Sequence, residues 1–313
     1  MPLKRVLKYV SPYESLIPAV DPSGHVLIFT HIPKSAGTSL DHVLIAMSAI
    51  RRLRFRRAMG TLYGIFLGEG KGDALADFDH IPNDTRQRLD IISGHLPFGI
   101  HQRLTRPSFY MTILREPTAR LVSHFHFGVR RGGWPAWQSF DDLFRDGRMI
   151  DNLQTRQLAG LPSLKSPCTT ADLDRALANL RDHYGIVATA EGFDAALKAL
   201  IALFRWPDVA YSDRQVGPQE PTGQELLARA SAAVERYFAY DRELYARILE
   251  RPQPWRSGLF EGAAEGCRRQ DRVLVTSPLF RLNGRDAALL STRVFDETLR
   301  PSLQQDGIEL LCV

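Results

Sequence analysis

Cysteine is scarce in this chain: 313 residues contain three, Cys168, Cys267 and Cys312. They form no C-x-x-C pair or other ligand-like spacing, which argues against a disulfide framework and a thiolate zinc site and favours a reducing compartment. No apolar run approaches the roughly 18–20 residues that cross a bilayer. The first 23 residues lack the sustained apolar core of a secretory leader. A soluble, cytoplasmic protein without a transmembrane segment is the expectation. Internal repeats and low-complexity tracts are missing too, as are paired carboxylates after a strand, so no metal site is expected. Charge of one sign is not concentrated in a tail. Lys and Arg number 40 against 35 Asp and Glu, a net charge of +5 spread along the chain. That balance points weakly to an anionic ligand, and no recognised nucleic-acid module accompanies it. Nucleic acid is therefore not an expected partner.

What is present is an ordinary globular composition, 44% hydrophobic and 24% charged. The length suits one large domain, or a domain with an appendage. The stretch that organises the chain is Val26-Leu27-Ile28-Phe29-Thr30-His31-Ile32-Pro33-Lys34-Ser35-Ala36-Gly37-Thr38-Ser39-Leu40. Its opening run of β-forming apolar residues predicts a buried strand. A turn with Pro33, Lys34 and Gly37 follows, and then Leu40, Val43, Leu44 and Met47 recur at helical spacing. Strand, small-residue turn and helix N-terminus together make an anion cradle. Free backbone N–H groups converge there, the helix dipole adds positive potential, and Lys34 supplies a full charge. The spacing is not that of the ordinary phosphate loop, G-x-x-x-x-G-K-[ST], because Lys34 precedes Gly37 by three residues.

Two more strands end in chemistry-bearing residues. Ile91 and Ile92 lead through Ser93 and Gly94 to His95, just past the strand's C-terminal end, the edge where open α/β sheets bind ligands. Phe109 to Leu114 predicts a third buried strand, running into Arg115-Glu116-Pro117-Thr118-Ala119-Arg120-Leu121-Val122-Ser123. Pro117 suits the first turn of a helix, and Ser123 then lies about two turns in. An arginine fork and a hydroxyl suit phosphate oxygens. Arg120 is expected to brace the fold through a carboxylate rather than touch a ligand.

The H-I-P-K-S-A-G-T-S string resembles the 5'-phosphosulfate loop of the sulfotransferases, especially those acting on carbohydrate chains. The L-R-E-P-x-x-R-x-x-S string resembles their 3'-phosphate motif. The likeness covers roughly Val26 to Ile248. It implies 3'-phosphoadenosine 5'-phosphosulfate (PAPS) as donor and a hydroxyl-bearing acceptor, with a glycan expected. Lys34 and the amides of Ser35, Ala36, Gly37, Thr38 and Ser39 would hold the sulfate-bearing end of the donor, and Arg115 and Ser123 its 3'-phosphate. His95 is similar to the presumed base of glycan 2-O-sulfotransferases, with Lys34 stabilising charge on the leaving oxygen. Those enzymes carry a second histidine where this chain has Ser93. Unlike Golgi members, the chain shows no membrane anchor. Two other readings stand beside this one: a nucleotide-dependent kinase on the same fold, which would need magnesium, and a non-catalytic module binding PAPS or a sulfated glycan.

The remaining expectations concern architecture and acceptor. A three-layer α/β, P-loop-like fold is expected over residues 1–250, with a mainly parallel central sheet flanked by helices. A small β-containing extension of unknown role is expected over 251–313, after Pro252, Pro254 and Gly258. Strands are expected at Val273–Ser277, Leu279–Leu282 and Gly307–Val313, with a hairpin turn at Asn283-Gly284. Thr169 with Asp172, and Thr222 with Glu225, predict capping boxes. The arginines between Arg51 and Arg57 suit an acidic acceptor, a solvated helix face or a loop. Trp134 and Trp137 are expected in the core before a sugar-stacking role. Asp151 to Gln157 resembles a polar N-x-Q-x-R stretch of bacterial members, either lining the cleft or forming a helix with polar outer positions.

Overall fold

The computed structural model describes residues 5–10, 24–51, 53, 55–58, 74–161, 166–212, 223–251, 272–276, 287–291, 293, 295–305 and 308–312. The chain begins with β1 (Arg5–Val10), β2 (Val26–Thr30), α1 (Gly37–Arg51), β3 (Phe55–Ala58), β4 (Ile91–Gly94) and β5 (Ser108–Leu114). It continues through α2 (Pro117–Arg130), α3 (Leu153–Ala159), α4 (Thr170–His183), β6 (Tyr184–Thr189), α5 (Phe193–Leu203) and β7 (Asp208–Tyr211). It ends with α6 (Gln224–Tyr237), α7 (Ala239–Leu249), β8 (Arg272–Thr276), β9 (Ala287–Ser291), a π-helical turn at Phe295–Leu299, α8 (Arg300–Gln305) and β10 (Ile308–Cys312). Short helical turns join several of these.

One sheet runs β3-β4-β2-β5-β6 with every pair parallel, Ile28 standing opposite both Ile92 and Tyr110. The central strands β2 and β5 read as near-continuous apolar runs because both faces are covered, as in parallel sheets. Leu27 and Phe29 face the core shared with Leu40, Val43, Leu44 and Met47 of α1 and Leu197, Leu200 and Ile201 of α5. Val26 and Ile28 face the opposite core, with Leu173 and Leu180 of α4 and Leu244 and Ile248 of α7. The period of two along β2 therefore feeds two cores, and a one-residue slip would exchange them. Thr169 and Asp172 form the expected capping box of α4, and Pro117 stands in the first turn of α2, where its missing N–H costs nothing.

The architecture has more layers than the sequence suggests. A second sheet, order β10-β1-β7-β8-β9 with mixed directions, packs on the far side of α1 and α5. Val10, Val209, Tyr211 and Leu274 join the α1–α5 core from this sheet. Leu7, Tyr9, Ala210, Val273 and Val275 turn the other way, onto Phe295 and Leu303. The physical reason is in the helices. In α5 eight of eleven residues, Phe193, Ala196, Leu197 and Ala199 to Leu203, are buried, and a helix apolar on nearly all sides has to be covered on both. The described strands beyond residue 251 thus share a sheet with β1 and β7 rather than standing apart.

β1, β7 and β9 were not among the expected strands. Arg56 and Arg57 lie in edge strand β3, not on a helix face or in a loop. The N-cap of α6 is Gly223, with no side-chain cap bond. Thr222, Pro252, Pro254, Gly258, Leu279–Leu282 and Asn283-Gly284 fall outside the described residues.

Leu274→Ala tests whether the two sheets share a core. The side chain is fully buried, so the substitution should cost about 2–5 kcal/mol in urea unfolding. A loss below about 1 kcal/mol would mean that the second sheet contributes little to this core.

Candidate active site

The loops after β2, β4 and β5 emerge side by side, because those three strands are neighbours and parallel. The chain leaves β2 toward β3 on one side and leaves β5 toward β6 on the other. The gap between the ends of β2 and β5 is therefore a topological switch point, the usual ligand crevice of such sheets. Lys34 follows one of these strands and Arg115 the other.

They meet across that gap. Arg115 Nη1 donates to the Lys34 carbonyl at 3.1 Å, so the two stretches singled out in the sequence form one site. Lys34 and Ala36 both have left-handed backbone, φ 69° and 60°, a conformation that costs non-glycine residues of order 1–3 kcal/mol and concentrates at functional loops. Such turns set successive N–H groups into a concave nest for an anion. The Ser35 and Ser39 amides already donate to the Ile32 and Ala36 carbonyls, at 3.3 and 3.1 Å. The amides of Ala36, Gly37 and Thr38 stand at the start of α1, where a helix supplies no acceptor of its own.

Gly37 is needed for a second reason. A Cβ there would lie 2.1 Å from Cδ2 of the buried His31 ring, so the loop can close over His31 only without a side chain at this position.

The electrostatics are concentrated at Lys34. Burial, together with Arg130, Arg115 and Arg131, lowers its ammonium pKa to about 8. Its Nζ sits 4.4 Å from the centre of the Phe127 ring, a cation–π contact that offsets part of the lost hydration. Four cations gathered in this way give the loop a positive potential of the kind that suits an anion. Ser35 Oγ and Arg115 Nε are buried and, among the described residues, have no hydrogen-bond partner. Buried donors of this kind call for a ligand. Ser123 is half-buried, two turns into α2.

Arg120 plays the bracing part expected of it. It is buried, 4.0 Å from the buried Asp241 carboxylate and over the Phe238 ring. Burial lowers the Arg120 pKa, opposed by Asp241, and raises that of Asp241, opposed by Arg120. Asp241 also accepts from the Thr155 amide and hydroxyl, each at 2.8 Å.

The stretch Asp151 to Gln157 does not form a helix with polar outer positions: every residue of α3 is buried. Its polar side chains bond the ends of the strands. Gln154 accepts from the Arg115 amide and donates to the Arg115 carbonyl, both at 3.0 Å. Gln157 donates to the carbonyls of His31 and Leu96, both at 3.1 Å. Arg156 is held by Asp151 at 2.7 Å. The two tryptophans part company: Trp134 is core, edge-on to His124, whereas Trp137 is 80% exposed.

His95 is buried just past β4, its ring edge-to-face with His31 at 4.8 Å between centres. His31 Nδ1 lies 3.1 Å from Asp41 Oδ2, and the other oxygen of Asp41 accepts from Ser93 Oγ. The sequence singles out neither His31 nor Asp41 for a role of its own. One signal was available for Asp41, an acidic residue set directly between Leu40 and Val43 on the apolar side of α1.

Among the described residues no helix is long and apolar enough to cross a membrane. Residues 20–153 match the model of the family described as Sulfotransferase family. Galactose-3-O-sulfotransferase 2 of Sus scrofa is 26% identical over 187 residues, covering 52% of this chain. The match spans 46% of that relative, about half its length. The segment matched by the family model contains β2, β4 and β5 with Lys34, His95, Arg115 and Ser123. Through that segment the chain is similar to the sulfotransferase family.

Proposed function

We propose that this protein transfers the sulfuryl group of PAPS to a hydroxyl of a carbohydrate acceptor, on a fold akin to that of nucleotide kinases. The observation that carries the reading is the meeting of Arg115 with the Lys34 carbonyl, which unites two phosphate-binding loops at a switch point. The orphaned donors Ser35 Oγ and Arg115 Nε fit a doubly phosphorylated nucleotide. The galactose-acting relative supports a sugar hydroxyl as acceptor. The sparse cysteines support a reducing, cytoplasmic setting.

In this scheme Lys34, Ser35 and the amides through Ser39 hold the 5' end of the donor, while Arg115 and Ser123 hold its 3'-phosphate. The donor supplies the sulfuryl group and a phosphate that leaves with the nucleotide. His95 takes the proton of the acceptor hydroxyl as its oxygen bonds to sulfur and the bond from sulfur to the leaving oxygen breaks. Lys34 neutralises charge growing on that leaving oxygen. Fixing both ends of the nucleotide sets the in-line geometry in advance.

Calorimetric titration with 3'-phosphoadenosine 5'-phosphate, the expected product, tests the nucleotide assignment. Arg115→Ala should weaken binding by at least tenfold, about 1.4 kcal/mol, and ATP should bind less well than the product. Equal binding of ATP, or indifference to Arg115→Ala, would count against the assignment.

The depressed Lys34 pKa makes a further demand. Only protonated Lys34 attracts the phosphate, and its free value near 8 leaves it charged at pH 7 but largely neutral at pH 9. A bound anion raises that value, so binding near pH 8 should take up protons. Affinity should fall by up to about tenfold per pH unit above the free value. Titrations in buffers of different ionisation enthalpy measure the uptake. Its absence at pH 8, or its persistence in Lys34→Met, would remove Lys34 from the phosphate site.

A further inference from the structure

Ser93, Asp41, His31 and His95 form a continuous buried chain behind the loop, and none of the first three has a role in the scheme above. All four are at most 6% exposed. Asp41 lies on α1, one turn past Gly37, and its two oxygens are divided between two partners. One accepts from Ser93 Oγ, at the end of β4, and the other lies 3.1 Å from His31 Nδ1, just past β2. His31 stacks on Phe29 with ring centres 5.4 Å apart and meets His95 edge-to-face at 4.8 Å. Its amide donates to the Gly94 carbonyl at 2.8 Å, and its own carbonyl accepts from Gln157. The ring is thus fixed from four sides, by Asp41, Phe29, His95 and the bare face of Gly37, and its backbone is tied to β4.

A carboxylate accepts and does not donate, so the Nδ1 of His31 carries the proton in that contact. The same logic, an imidazole held in one tautomer by a buried carboxylate, orients the base in hydrolytic triads. Here the oriented imidazole is one ring removed from the base.

We propose that Ser93, Asp41 and His31 are a positioning relay for His95, in which His31, just past the neighbouring strand, sets the plane of the His95 ring. The serine fixes the carboxylate, the carboxylate fixes the tautomer and plane of His31, and His31 fixes the plane of His95. This rests on the reading of His95 as the base, and the test separates the two.

Three variants are compared with the parent: Asp41→Asn, Ser93→Ala and His95→Ala. The nitrogen resonances of the histidine rings are recorded in the uniformly nitrogen-15-labelled protein without nucleotide. Turnover is followed with labelled PAPS on a carbohydrate acceptor, and affinity for the product nucleotide by calorimetry. The relay requires an Nδ1–H signature for His31 in the parent, lost or redistributed in Asp41→Asn. It also requires a fall in kcat of about 10- to 100-fold in Asp41→Asn, and a smaller fall in Ser93→Ala, with nucleotide affinity within twofold of the parent.

If Asp41→Asn does not fold, Ser93→Ala carries the test, because it removes one hydroxyl and leaves the carboxylate. An unchanged kcat and unchanged ring resonances would overturn the relay. So would a parallel loss of kcat and nucleotide affinity, which would make the chain a mere brace of the loop. An inactive His95→Ala beside a fully active Asp41→Asn overturns the relay alone and leaves the base in place. A fully active His95→Ala removes the base and the relay with it.

Discussion

Everything at this site depends on satisfying backbone groups where three parallel strands stop. Inside the sheet each N–H and C=O is paired, but past Thr30, Gly94 and Leu114 the ladder ends while the chain is still buried. Unpaired buried peptide groups are costly. The α3 helix answers that cost by turning its polar side chains inward. Gln154 closes both backbone groups of Arg115, and Gln157 joins His31 to Leu96. Asn152, itself in left-handed backbone, accepts from the Tyr240 and Asp241 amides and ties α3 to α7. Two amide side chains therefore hold all three loops in register. A shift of α3 would move Arg115, His31 and the loop of His95 together.

This arrangement leaves the charge of the site exposed to itself. Lys34 stands among Arg115, Arg130 and Arg131, and burial adds to their repulsion. The left-handed residues Lys34 and Ala36 add backbone strain at the same place. In the proposed scheme an anion in the cradle would offset the charge repulsion, which would link anion binding to loop stability. The bracing cation, Arg120, lies deeper. Its charge is balanced by Asp241, and it anchors α2, which follows Arg115 and carries Ser123.

The second sheet has a structural explanation. The α1 helix begins the phosphate cradle and carries Asp41, so its position sets the geometry of both. It is pressed between two sheets, with Leu40, Val43, Leu44 and Met47 in a core that also contains Leu274 of β8 and Val10 of β1. The strands after residue 251 therefore support the site without touching it.

Three strands, their following loops, the capping box at Thr169 and the two anion-binding strings were legible because each is written in consecutive residues. Periodicity, turn chemistry and helix starts are local signals, and they place Lys34, His95 and Arg115 at strand ends without any knowledge of the whole. Local signals do not say which strands are neighbours. Strand order brought Arg115 to Lys34 and His31 to His95, across 81 and 64 positions of sequence. The same limit hid the role of α3, whose polar residues read as a solvent face until the surrounding elements buried them. It also hid β1 and β7, short strands whose place in a sheet is fixed by partners far away in the chain. Consecutive residues were enough to mark Lys34, His95, Arg115 and Ser123 as candidates. The burial of Arg120, the pairing of Asp41 with His31 and Ser93, and the meeting of Arg115 with Lys34 follow from the fold, because they depend on neighbours brought together from distant positions.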